Sequence, residues 1–153
     1  MSVHQSPQEM HDLVAKHIAE VRFKRPNNEF YAGHFFPTWK ISTNVPVRQM
    51  PVEHRWMGVL YPDVVIVDTA KCNAPMVIAE VETAETLIQA TVDDKWFYDY
   101  DCCIWLHLYV PEGHAMKAAE LCLESSTSKR VLAPKGIRTY GLDDNGKIRI
   151  TIT

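Results

Sequence analysis

Apolar residues recur at helical spacing from the first residues of the chain: Met10, Leu13, Val14, His17, Ile18 and Val21 form one stripe, predicting a helix over 6–24. Ser6-Pro7 reads as an N-cap followed by proline at the first helical position, with Glu9 placed to complete a capping box. Pro26-Asn27-Asn28 should stop that helix. From 27 to 57 the periodicity is lost. Pro37, Pro46 and Pro51 exclude a long helix and interrupt any strand, so short extended pieces in a long arm are expected. Regular patterning returns as a β-branched strand over 59–68, a second strand over 75–82 and a helix over 84–100 with Thr83 as its N-cap. The run 102–110 (CCIWLHLYV) is apolar almost throughout, the pattern of a strand buried on both faces. A helix over 114–123 follows, then short strands over 136–140 and 147–153 around Asp143-Asp144-Asn145-Gly146. This order predicts an α/β sandwich with a mixed central β-sheet flanked by helices, in which the strand–helix–strand crossover over 75–110 is a right-handed parallel unit.

With 153 residues, of which 46% are hydrophobic and 23% charged, the chain suits one packed domain spanning 1–153. No run approaches the roughly 20 apolar residues that span a bilayer. The opening MSVHQSPQEMHDL has neither the basic start nor the apolar stretch of a signal peptide. Cys72, Cys102, Cys103 and Cys122 show no metal-ligand spacing. A cytoplasmic, reducing location without membrane contact is the expectation. The net charge of −3 is unevenly spread: the stretch 57–124 holds twelve acids against three basic side chains, while 22–56 holds six basic residues against two acids. An acidic centre between basic flanks suits a cation site that also attracts a polyanion, and a solvated mixed surface is the plainer account.

The chemistry lies in MVIAEVE. Alternation puts Met76, Ile78, Glu80 and Glu82 on one face and Val77, Ala79 and Val81 on the other. The two glutamates are then roughly 7 Å apart along the strand. If the strands around 69–74 pair antiparallel so that Asp68 faces Pro75, then Asp63 falls opposite Glu80 on the same face, with Cβ atoms roughly 5 Å apart. Three carboxylates so placed repel one another, and a bound cation is the natural compensation. Hard oxygen donors with no nearby Cys or His set favour Mg²⁺ or Mn²⁺ over zinc.

At these residues the chain resembles the PD-(D/E)xK nuclease superfamily. Pro62-Asp63, a gap of sixteen residues, and Glu80-Val81-Glu82 fall where that family carries its motif, within a helix, strand, strand, helix, strand order over roughly 6–110. The resemblance implies a restriction-endonuclease-like fold and a Mg²⁺- or Mn²⁺-dependent phosphodiester hydrolase. Asp63 and Glu80 would be ligands and the carbonyl of Val81 a backbone ligand. Glu82 stands where the family usually has lysine; it is a candidate base or ligand. Lys95 on the next helix is a candidate source of the missing ammonium, and Glu20 a candidate further acid on the first helix. Trp96, Tyr98 and Tyr100 follow the motif as aromatic residues do in some relatives.

DNA, or alternatively RNA, is the expected partner, held through Arg22, Lys24, Arg25, Lys40, Arg48 and Arg55. The aromatic arm, with Phe30, Tyr31, Phe35, Phe36, Trp39 and Trp56, would line a nucleic-acid groove or cover a partner subunit in a homodimer. The alternative is a non-catalytic domain of the same fold acting as a nucleic-acid-binding or assembly module, favoured by loss of the motif lysine. No HExxH, HxH, Gly-rich phosphate loop or GxSxG elbow offers a rival site.

Overall fold

The computed structural model describes residues 5–23, 37–123 and 132–152. Helix α1 (Pro7–His17) starts as its sequence directs: the Ser6 hydroxyl accepts from the Glu9 N–H at 3.1 Å, and Pro7 occupies the first turn. A π-helical turn, Ile18–Arg22, continues it. The buried stripe is Val14, Ala15, Ile18 and Ala19, with Leu13 left 39% exposed. It is rotated from the stripe of larger residues because alanines at 15 and 19 let the helix approach the sheet closely. The segment around Pro26 lies outside the described residues.

The arm supplies a strand that its prolines hid. β1 (Trp39–Thr43) lies between Pro37 and Pro46 and pairs antiparallel with β4 (Val64–Asp68), forming an edge of the main sheet. Edge strands tolerate flanking prolines because one side needs no ladder. β2 (Val52–His54) and β3 (Gly58–Leu60) make a separate two-stranded hairpin. The strand expected over 59–68 is therefore two strands, β3 and β4, divided at Tyr61-Pro62-Asp63. Of the arm's aromatics, Trp39 is buried and Trp56 exposed, while Phe30, Tyr31, Phe35 and Phe36 lie outside the described residues.

β5 (Ala74–Val81) follows β4 as an antiparallel partner. Helical residues then run through α2 (Gln89–Thr91), a π turn (Val92–Trp96) and α3 (Phe97–Cys102). This helix begins later than the pattern predicts. Thr83 does not cap it; its N–H donates to the Thr86 hydroxyl at 2.9 Å, closing a local turn that competes with helix. Cys102 ends α3, so β6 is the shorter Trp105–Pro111. β6 pairs parallel with β5, α4 (Ala115–Leu123) follows, β7 (Gly136–Leu142) pairs parallel with β6, and β8 (Ile148–Ile152) closes the antiparallel edge.

The result is a mixed six-stranded sheet in the order β1-β4-β5-β6-β7-β8. Val64, Ile66, Val77, Ala79, Val81 and Tyr109 pack with α1 on one face. On the other, Val65, Val67, Ile78, Leu106, Leu108 and Val110 pack with Val92, Trp96 and Phe97 of the central helix and with α4. Each fully buried aliphatic or aromatic side chain contributes about 1.5–3 kcal/mol. No helix among the described residues is long and apolar enough to cross a membrane.

Candidate functional site

The site lies where β4 enters the sheet and β5 leaves it. Val64, Val65 and Ile66 face Ala79, Ile78 and Val77, the register that carries Asp63 to Glu80. At the closed end Val67 faces Pro75, so Met76 is bulged out of the ladder. The alternation expected for β5 therefore fails at Met76, which joins the α1-side core, and holds at Glu80. The Asp63 N–H donates to Glu80 Oε1 at 2.7 Å, and the Val81 N–H donates to Asp63 Oδ2 at 2.8 Å. The backbone before Asp63 is fixed by buried Asn44. Its amide donates to the Pro62 carbonyl at 2.7 Å and its own N–H donates to the Asp63 carbonyl at 3.1 Å.

Glu82 lies one residue past β5 but is held as if still in the sheet. Its N–H donates to the Tyr109 carbonyl at 2.8 Å, and its carbonyl accepts from the Tyr140 hydroxyl at 2.6 Å. Its carboxylate accepts from the Trp96 indole at 3.2 Å. Lys95, in the π turn, reaches both acids: Nζ is 3.2 Å from Glu80 Oε2 and contacts Glu82 Oε1. Asp99, one turn further, is buried beside Glu80 within hydrogen-bonding reach, and its Oδ2 has no partner. Short π segments inside helices recur at functional sites.

The electrostatics follow from crowding in a dry place. Burial, reinforced by the Asp63 and Glu82 charges and opposed by Lys95, pushes the Glu80 carboxyl up to about 8. Burial and the neighbouring Glu80 push Asp99 well above the usual carboxylate range. For Lys95, burial acts to lower the pKa, but Glu80, Glu82 and Asp63 outweigh it and hold the ammonium charged.

His11 reaches the cluster from α1. Nε2 lies 3.0 Å from Asp63 Oδ2 and Nδ1 lies 2.8 Å from Asp12 Oδ1. Burial lowers its pKa, but these two carboxylates override that and raise it to about 9. Beside the cluster opens a cleft of about 530 Å³, whose walls include His11, Glu82, Thr86, Lys95 and the first turn of α1.

Asp63, Glu80, Val81, Glu82 and Lys95 are thus brought together. Glu20 is not: it is exposed near the far end of the first helix. Lys24 and Arg25 lie outside the described residues, Lys40 is exposed on β1, Arg22 lies near His107, and Arg48 and Arg55 sit around the β2–β3 hairpin. His11, Asp99 and Asn44 were missed. His11 had a signal, since it continues the Val14, Ala15, Ile18 spacing by one turn, and Asp99 stands four residues after Lys95. Asn44 had none.

Among the described residues, no three His, Cys, Asp or Glu side chains stand as a ready set of metal ligands. The cation lying between Glu80 and Glu82 is the Lys95 ammonium. The donors would suit a hard dication, since all are carboxylate oxygens and Asp99 carries a buried oxygen with no hydrogen-bond partner. Compared with known proteins, the chain matches no family model, no curated protein and no solved structure.

Proposed function

We propose that the chain is a Mg²⁺- or Mn²⁺-dependent phosphodiester hydrolase acting on DNA, built on a restriction-endonuclease-like form of the α/β sandwich. The observation that carries this reading is Lys95. The E-x-E sequence lacks an ammonium, and the central helix returns one to both glutamates. Asp63 and Glu80, with the carbonyl of Val81, would hold the ion. When bound, a hard dication supplies Lewis-acid polarisation of the phosphoryl oxygen and lowers the pKa of water. The chain's own residues do the rest. Water adds to phosphorus as a P–O ester bond breaks, Glu82 takes the proton of the attacking water, the departing alkoxide takes a proton from solvent in the open cleft, and Lys95 stabilises the charge gathering on the non-bridging oxygens. The open cleft beside His11 and Glu82 gives a phosphodiester access.

The test is nicking of supercoiled DNA by purified protein with Mg²⁺ or Mn²⁺. Wild type should cut, EDTA should stop it, and Glu80→Ala should abolish it while remaining folded. One observation favours a second reading: Lys95 already compensates the acids, so the cluster is satisfied as a structural ion network in a nucleic-acid-binding or assembly module. Salt-dependent DNA binding with no cleavage under either metal would decide for that module.

A further inference from the structure

We propose that the β2–β3 hairpin is a stacking platform for unpaired nucleotides, so that the preferred substrate carries a single-stranded stretch. The choice of substrate rests on the nuclease reading; the binding does not. The hairpin is short, pairing Val52 with Leu60, Glu53 with Val59 and His54 with Gly58. Two-stranded hairpins alone are marginal in water, and this one is fastened by a buried histidine. His54 Nδ1 accepts the N–H groups of Trp56 at 3.1 Å and Met57 at 3.2 Å. That leaves Nε2 to donate, and it lies 3.3 Å from Asp101 Oδ2, at the end of the central helix. The ring also meets Trp56 edge-on at 5.7 Å.

What this fastening presents is Trp56, a residue 71% exposed to water. An exposed aromatic on a loose loop is unremarkable; here the backbone on which Trp56 stands is fixed. The Arg55 guanidinium lies 4.2 Å over the Trp56 ring, and the Arg48 guanidinium 4.2 Å over the half-exposed Tyr61 ring. Two flat ring-and-guanidinium stacks offer planes for bases and positive charge for phosphates. These two arginines outnumber the exposed Glu53 between them in sequence. A continuous duplex hides its base faces and would leave the rings unused. Position supports the same occupant. Tyr61 is followed directly by Pro62-Asp63, so roughly 7 Å of backbone separates the second stack from the first acid of the cluster.

The probes are a fluorescent twelve-nucleotide oligo-dT and a mixed-sequence duplex of the same length, titrated with the full chain in EDTA at fixed salt. Wild type should bind the single strand at least tenfold more tightly than the duplex. Trp56→Ala should weaken single-strand binding about tenfold, with an unchanged salt slope and little effect on the duplex. Equal affinity for both probes, or single-strand binding unaffected by Trp56→Ala, overturns the platform. So does sedimentation showing that Trp56 instead holds two copies of the chain together. Trp56-dependent single-strand binding without metal-dependent cleavage would uphold the platform and sink the nuclease reading. Metal-dependent cleavage together with single-strand binding indifferent to Trp56→Ala would do the reverse.

Discussion

Two neighbouring rungs of the sheet bury an ionisable side chain on opposite faces, with opposite consequences. Ala79 pairs with His107 and Glu80 with Leu108. Burial drives both groups toward neutrality. It lowers the His107 imidazole to about 3, helped by Arg138, Lys135 and Arg22, and raises the Glu80 carboxyl to about 8. His107 is enclosed in the α1-side layer, whereas Glu80 shares its face with three other carboxyl groups and an ammonium beside an open cleft. A perturbed pKa by itself therefore does not mark a site. What separates the two is the kind of company and access: carboxyl groups and an ammonium converging next to solvent suit chemistry, and a neutral ring facing cations in an enclosed layer suits packing.

The comparison breaks most sharply at Lys95. Lys95→Met leaves Glu80, Glu82 and Asp99 in one buried cluster without their ammonium. Breaking a buried ion pair from one side costs roughly 3–5 kcal/mol. Because the Lys95 side chain keeps 39% of its surface, the lower end applies, about 3 kcal/mol. Denaturant melts at pH 7 check this, and the proposed DNA cleavage should fall on the order of a thousandfold. A fully stable, fully active Lys95→Met protein would reduce Lys95 to a surface lysine.

His107 gives the next largest effect, and its sign is fixed by linkage. Its folded pKa lies below the unfolded value of 6.5, so its contribution is complete above pH 6.5 and is lost as pH falls toward 3. Between pH 6.5 and 5 the loss should be about 2 kcal/mol. His107→Leu should lack that part of the acid sensitivity. Parallel pH profiles for the two proteins would show that folded His107 takes up its proton as readily as the unfolded chain does, and the contrast with Glu80 would fail.

How much of this was legible can be judged residue by residue. Strand alternation brings Glu80 and Glu82 to one face, and the pairing of neighbouring strands brings Asp63 opposite Glu80; both depend only on local geometry. Met76 escaped because the bulge arises from the turn. Asp68 accepts the Ala70 N–H at 3.0 Å, and Cys72 and Asn73 take positive φ, which shifts the closed end by one residue without disturbing the end at Asp63. The phase of the central helix was less accessible. A π turn over Val92–Trp96 inserts a residue, and that insertion helps decide which side chains face β5. β1 was hidden because WKIST is short and bracketed by prolines, and its partner β4 is about twenty residues away. The hairpin was visible only as aromatic and basic composition, since its order depends on contacts between His54 and the distant Asp101.

The smallest effect sharpens the comparison most, because it should carry the opposite sign to that of His107. Glu80 titrates at about 8 in the folded chain and near 4.5 when unfolded, so the native state binds the extra proton between those values. Stability from this group is complete below pH 4.5, declines as pH rises, and levels off above 8. Glu80→Gln keeps an oxygen that can accept the Asp63 N–H but carries no charge to be crowded by Asp63 and Glu82. It loses the Lys95–Glu80 pair, which offsets part of the gain, although Glu82 still holds Lys95. The net expectation is a variant nearly equal to wild type at pH 4.5 and more stable by about 1 kcal/mol at pH 9, read from urea midpoints. Mg²⁺ or Mn²⁺ adds the decisive arm. A ligand that binds only the native state raises its stability, so the metal should close the gap by stabilising wild type and leave Glu80→Gln nearly unmoved. A gap that persists unchanged at saturating metal would mean that the proton on Glu80 has no cation to replace it, and the cluster would then stand with His107 as a neutralised group rather than an ion site.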